Sequence, residues 1–347
     1  MNRDMVAIPR VRRHLNGMRA LAGLWARLSA TFLILAATAC AQAEGVAPRA
    51  DWHTQLNRDH PLVGRIWSPA ASVYLQPDEL LRRIAAADFV ILGEKHDNPD
   101  HHAIQARVVE RLLASGRRPA LAFEMIAADQ APRLEAYQSD HPGTSSGLGD
   151  ALGWDKTGWP EWSLYEPIAA AIVGAGLPIL AANLSQEDAM GLARGNAPSD
   201  NQLRVWRLDQ SPAPEVARAL ADDIRESHCG HLPEDRIPGM VLAQRARDAV
   251  MARAMIAGAG RPETDGTVLI AGTGHARSDR GVPMHLRQLE PGSTVFSLAI
   301  VEVSPDLPEP ASYADNGGLP FDALWFTPRL DDKDHCALLL QHFKKKR

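Results

Sequence analysis

The chain has 347 residues, 45% of them hydrophobic and 23% charged, and a formal net charge of -5. That length allows one large domain or two ordinary ones with a core of normal size, and the composition is ordinary for a soluble globular protein. The negative balance excludes a general attraction to nucleic acid; the basic Lys344-Lys345-Lys346-Arg347 at the end reads as a solvated tail.

Residues 1–43 read as an export segment. Arg10, Arg12, Arg13, Arg19 and Arg27 make a positive leader, and the apolar stretch from Leu28 to Ala39 is too short to span a bilayer comfortably. Ala37-Thr38-Ala39-Cys40 is close to a lipoprotein box, in which Cys40 is acylated after cleavage. Ordinary cleavage after Ala41-Gln42-Ala43 competes with it, and Met18 is a second candidate start. The expected location is periplasmic or membrane-anchored, through lipid if Cys40 is acylated. In an exported protein Cys229 and Cys336 are permitted to pair, although spacing alone does not give the separation a disulfide needs.

The folded region is expected over 44–330, with a tail at 331–347. Residues 44–75 read as irregular. Asp78 then caps the start of an amphipathic helix, Glu79 to Ile84. Strands are expected at 88–92, 119–124, 177–182, 267–271, 294–303 and 322–326. They are continuous apolar runs, as suits strands covered on both faces of a parallel sheet. Helices fall between them: one opened by Pro99 with Asp97 or Asn98 as cap and closed by Ser115-Gly116, another from Leu164 to Ala175. No strand appears between 184 and 262, where helices near 214–226 and 238–258 read as a helical insertion. The expected fold is therefore α/β: a mostly parallel sheet flanked by helices, with a small α-helical subdomain.

The strand ends carry chemistry. Leu92-Gly93-Glu94-Lys95-His96 and Ala271-Gly272-Thr273-Gly274-His275 each place Gly-x-x-His directly after a strand. Glu124 and Asn183 end two more strands. Ligands of open parallel sheets sit beyond the carboxyl ends of the strands, so His96, His275, Glu94 and Glu124 are expected to share one site. Singly, each is as readily a helix cap or a surface charge; the joint pattern is not. The set suits a divalent metal, acid–base chemistry or a haem pocket. His101 and His102 occupy the first turn of the Pro99 helix, where one faces the sheet edge if the other faces away. Trp162 and Tyr165 lie three apart in the densest aromatic patch, with Trp154 and Trp159; they plug the helix against the core, or a tyrosinate at Tyr165 binds Fe(III) haem with tryptophans flanking the flat macrocycle. His228, Cys229 and His231 fit no standard zinc spacing. A nucleophile elbow, a Walker loop and a dinucleotide fingerprint are absent from the sequence.

Leu92 to His102, Phe123-Glu124-Met125, Trp162 to Pro167, Ser227 to Pro233, Arg247 to Met251, Gly272 to His275 and Ala323 to Pro328 occur together in that order. In this combination, over roughly residues 70–328, the chain resembles the ChaN-type haem-binding lipoproteins of the Tiki superfamily. The resemblance implies haem held through a tyrosine, here Tyr165 as iron ligand with His96, His275, Glu94, Trp162 and His101 around the cofactor, in a homodimer, for haem and iron uptake at the envelope. It also implies an alternative: a metal-dependent hydrolase using Glu94, His96, Glu124 and His275.

Overall fold

The computed structural model describes residues 52–315 and 318–345; the export segment and Cys40 lie outside them. Eight strands make one sheet: β1 (Ile66–Ser68), β2 (Val73–Leu75), β3 (Phe89–Glu94), β4 (Pro119–Ala127), β5 (Ile179–Asn183), β6 (Gly266–Gly272), β7 (Val295–Glu302) and β8 (Ala323–Thr327). Their spatial order is β2-β1-β8-β7-β3-β6-β4-β5. The expected apolar runs become β3 to β8, all parallel. The stretch read as irregular instead supplies β1 and β2, an antiparallel hairpin whose β1 pairs antiparallel with β8. Strands of 3 residues are too short to show a period of two.

Alternation along each strand divides the core between the faces. Val90 and Leu92 pack with Ile104, Val108, Ile168 and Ile172 of the helices Pro99–Ala114 and Trp162–Gly174. Phe89 and Ile91 pack instead with Met251, Met255 and Leu286 of the helices Ile237–Ala259 and Val282–Leu289. Burying a side chain of this kind contributes about 1.5–3 kcal/mol. The Pro99 helix begins as its residues dictate: Pro99 occupies the first turn, and the Asn98 side chain accepts from Asp100 N at 2.9 Å.

Between β5 and β6 the described chain is helical, with a core of its own around Leu192, Trp206, Leu208 and Ala246. The insertion does not separate cleanly, because the 23-residue helix Ile237–Ala259 is roughly 35 Å long. Its first half completes that small core and its second half covers the sheet. The segment expected as a tail forms the helix His335–Lys345. Cys336 is bonded to Cys229 of the Ser227–Pro233 turn, S–S 2.02 Å. Among the described residues no helix is long and apolar enough to cross a membrane.

Candidate functional site

Sheet order brings the two Gly-x-x-His motifs together. β6 lies beside β3, and Glu94 is paired in register with Gly272. Each glycine makes room for the other motif. A Cβ on Gly93 would come within 2.8 Å of the Ala276 Cβ and 3.1 Å of Thr273 Cα, in the single helical turn after β6. A Cβ on Gly272 would come within 3.0 Å of His96 Nε2. Thr273 Oγ1 donates to the Glu94 carbonyl at 3.1 Å and closes the junction.

Glu124, from β4 on the far side of β6, stands between the imidazoles. Its Oε1 lies 3.3 Å from His275 Nε2, and its Oε2 lies 3.9 Å from His96 Nε2. Oε2 also accepts from Gly272 N at 2.7 Å, and the Arg247 guanidinium donates to Oε1. Asn183 joins these groups, donating to the Glu124 carbonyl at 2.9 Å and accepting from Arg247 Nε at 3.1 Å. Each imidazole has its own carboxylate on the other nitrogen: Glu94 Oε1 at 2.9 Å from His96 Nδ1, and Asp248 Oδ1 at 2.6 Å from His275 Nδ1. Such a partner fixes the ring and sets its tautomer.

Burial works against charge on His275, but Glu124 and Asp248 outweigh it and push the imidazole up to about 9. Burial likewise opposes ionised Glu124, yet His275 and Arg247 hold that carboxyl well below the usual carboxylate range. His96 is raised too, its desolvation outweighed by the Glu94 hydrogen bond and the Glu124 charge. Buried Glu94, Glu124 and Asp248 are thus faced by Arg247, His96 and His275, so the cluster is close to neutral when both imidazoles carry a proton.

His96 is the member turned outward. Its side chain is 31% exposed, its Nε2 makes no hydrogen bond among the described residues, and its ring meets Trp159 edge-on with centroids 4.9 Å apart. Tyr165 is turned inward. It is fully buried, and its hydroxyl lies 3.4 Å from Glu94 Oε1 and 3.3 Å from the His96 carbonyl, both acceptors. Burial and the charges of Glu94 and Glu124 raise its pKa far above the ordinary tyrosine value. A tyrosinate there would sit in a desolvated space beside two carboxylates, so the expected iron ligand does not face the open edge.

Two further expected residues stand elsewhere. His101 is buried, accepting from Lys95 N at 2.9 Å and bonding Thr327 Oγ1 at 3.0 Å. Burial, aided by His102 and Lys95, holds it well below the ordinary histidine value, a neutral brace between β8 and the loop after β3. It is His102 that the helix aims at the site, with Nδ1 3.2 Å from Glu94 Oε2 and Nε2 donating to the His96 carbonyl at 2.8 Å. Trp162 packs on Trp154, centroids 4.8 Å apart, over Gly149, and lines no part of the cluster. The sequence offered Arg247 and Asp248 only as part of the family motif and Trp159 only as one tryptophan of the aromatic patch, without a place in the cluster for any of them. A charged pair inside the alanine-rich helix Ile237–Ala259 was the signal for the first two.

Residues 80–286, more than half of the chain, match the family described as "Haem-binding uptake, Tiki superfamily, ChaN". Among solved structures the fold is similar to that of ChaN of Campylobacter jejuni, described as binding haem cofacially; the match has 22% identity and a TM-score of 0.59, over 75% of this chain and 95% of that one. Weaker likenesses reach the type III effector HopBA1 (12% identity, TM-score 0.39, 72% of this chain and 92% of that one) and the erythromycin esterase EreC (17% identity, TM-score 0.36, 74% and 81%). No curated protein matches the chain.

Proposed function

We propose, from the premise that this chain belongs to the haem-binding uptake family of the Tiki superfamily, the ChaN family, that it is an exported protein that takes up haem at the carboxyl edge of its sheet. The observation that carries the assignment of the site is His96: Nδ1 held by Glu94, Nε2 without a hydrogen-bond partner among the described residues, and Trp159 beside it as an aromatic wall. A carboxylate on the other, non-ligating nitrogen is the usual support of a metal-ligating imidazole. His96 is therefore the proposed iron ligand, and Tyr165 holds Glu94 and the His96 backbone from beneath. When bound, haem supplies the iron centre that is carried; the protein supplies the donor, the wall and the charge balance. His275 and Glu124 lie one layer deeper and fix Gly272 and His96.

Haem bound over one imidazole leaves an apolar face uncovered, and two chains related by a two-fold axis bury two such faces against each other. The paired state is proposed for this chain as well, with haem and dimer favouring each other. Haemin titration of His96→Ala and Tyr165→Phe separates the ligands. His96→Ala is expected to lose the Soret shift, and Tyr165→Phe to keep it with weakened affinity. The opposite pattern returns the iron to the tyrosine. Sedimentation of the apo and haem-loaded protein at equal concentration checks the pairing, and an unchanged monomer at haem saturation would reject it.

The hydrolase reading loses its metal but keeps a base. Both Glu124 oxygens are engaged by Arg247, His275 and Gly272 N, and among the described residues no group of three or more His, Cys, Asp or Glu is arranged to hold an ion. The donors thus fit a divalent metal poorly. The Glu94–His96 pair with an open Nε2 nevertheless has the form of a general base. Ester turnover by the apo protein that disappears in His96→Ala would support that second reading.

A further inference from the structure

The helix Pro99–Ala114 holds the end of β3 from one side. His102 and Gln105 lie three apart on it and share a face, and both are buried. Gln105 Nε2 donates to the Leu92 carbonyl at 3.1 Å, and His102 Nε2 donates to the His96 carbonyl at 2.8 Å. These two contacts stand on either side of Glu94 in the chain. The helix start that carries His102 is itself fixed. Asn98 caps it through Asp100 N and donates to Glu302 Oε1 at 2.8 Å, while Asp100 accepts from His53 N at 2.8 Å and Thr54 N at 3.0 Å.

His102 also reaches the carboxylate that supports His96. Its Nδ1 lies 3.2 Å from Glu94 Oε2, and both atoms are enclosed with no other partner among the described residues. A buried polar atom left unmatched is costly, so each holds the other in place. The second Glu94 oxygen is the one at His96 Nδ1. Tyr165, edge-on to the His102 ring with centroids 4.4 Å apart, makes only the longer contact to the His96 carbonyl, 3.3 Å. The His96 side chain is 31% exposed, and a ring held in its binding orientation beforehand loses less freedom when a ligand arrives. We propose, resting on the reading that His96 ligates the iron, that His102 is the positioning residue for that imidazole. One nitrogen fixes the His96 backbone, the other holds Glu94 against His96 Nδ1, and together they present Nε2 outward before haem binds.

His102→Ala, His102→Asn and His102→Gln in the full chain test this. The asparagine amide takes the place of Nδ1 and keeps the Glu94 contact; the glutamine amide takes the place of Nε2 and keeps the carbonyl contact. In the haem-free protein the low-field imidazole N–H resonance of His96, assigned by its disappearance in His96→Ala, is expected in the parent chain and in His102→Asn, and is expected to be lost in His102→Ala. Haemin affinity is expected to fall about tenfold or more in His102→Ala, the usual loss when the outer support of a ligating imidazole is removed, and less in the two amide variants. The Soret band keeps its position, since His96 still ligates. An unchanged His96 resonance and haemin affinity in His102→Ala would overturn the proposal, as would affinity losses that follow the thermal midpoint alike in all three variants, the mark of a merely structural histidine. If His102→Ala does not fold, parent-like resonance and affinity in both amide variants would overturn it. Failure of the underlying reading looks different: His96→Ala then keeps the Soret shift.

Discussion

His275 and Glu124 face each other at 3.3 Å, Nε2 to Oε1, and both are buried. Taking either charge out of water alone is costly, and removing one partner of a buried pair strands the other. The pair stands because each member has a second anchor: Asp248 Oδ1 on His275, and Arg247 with the Gly272 amide on Glu124.

This pair sets the pH range of stability. His275 binds its proton more tightly folded, at about 9, than at its ordinary 6.5. Its contribution is complete below the lower value and is lost as pH rises through the higher one. Glu124 is shifted the other way, so its contribution is present above the ordinary glutamate value and falls away in acid. The thermal midpoint should therefore be flat near pH 5–6 and decline toward pH 9, the His275 part amounting to about 3 kcal/mol at most. Asp248→Asn removes one cause of the shift, so the decline should end at lower pH and be smaller overall. An alkaline limb that does not move would show that His275 does not control it.

Arg247→Ala leaves Glu124 with the His275 imidazole and the Gly272 amide alone. A loss of about 3 kcal/mol in urea unfolding is expected. In the double variant Arg247→Ala, Glu124→Gln, the loss should be well below the sum of the two single losses, since no buried charge is then stranded. Additive losses would mean that the two side chains do not depend on each other.

Two glycines separate fold from site. A Cβ at Gly281 would fall 2.3 Å from the His275 carbonyl oxygen and 2.8 Å from that of Arg277, both backbone atoms. Gly281→Ala should thus cost more than about 2 kcal/mol or prevent folding. At Gly272 the obstacle is the side chain of His96, 3.0 Å away, which can swing. Gly272→Ala should leave the thermal midpoint nearly unchanged and alter the Soret band of the haem complex. Unfolding of Gly272→Ala, or an unaltered haem spectrum, would contradict this division.

The Cys229–Cys336 bond closes a loop with a sequence separation of 107. Cross-links over loops of that length stabilise by about 4–5 kcal/mol in the chain-entropy account. Adding reductant, or Cys336→Ser, should lower the denaturation midpoint accordingly and leave the haem spectrum in place, since neither cysteine touches the cluster. A midpoint that ignores reductant would show that the bond adds little.

The parallel strands were legible in the sequence because strands covered on both faces are continuous apolar runs; each of β3 to β8 follows from such a run, with Glu94 ending β3 and Gly272 ending β6, whereas β4 runs on past Glu124, expected as its last residue, to Ala127. The motif order also placed the family. Neighbourhood was not legible. Nothing local says that β6 slots between β3 and β4, yet that insertion puts Gly272 opposite Glu94 and sets Glu124 between two imidazoles. In a parallel sheet each strand returns by a crossover, so its partners are chosen by packing over the whole sheet rather than by the chain beside it. The same holds for direction: the tertiary phase of one helix turned His102 rather than His101 to the site, and that of another buried the Tyr165 hydroxyl under Glu94. Sequence named the chemical types at the edge; only the assembled core decided which of them face one another and which face out.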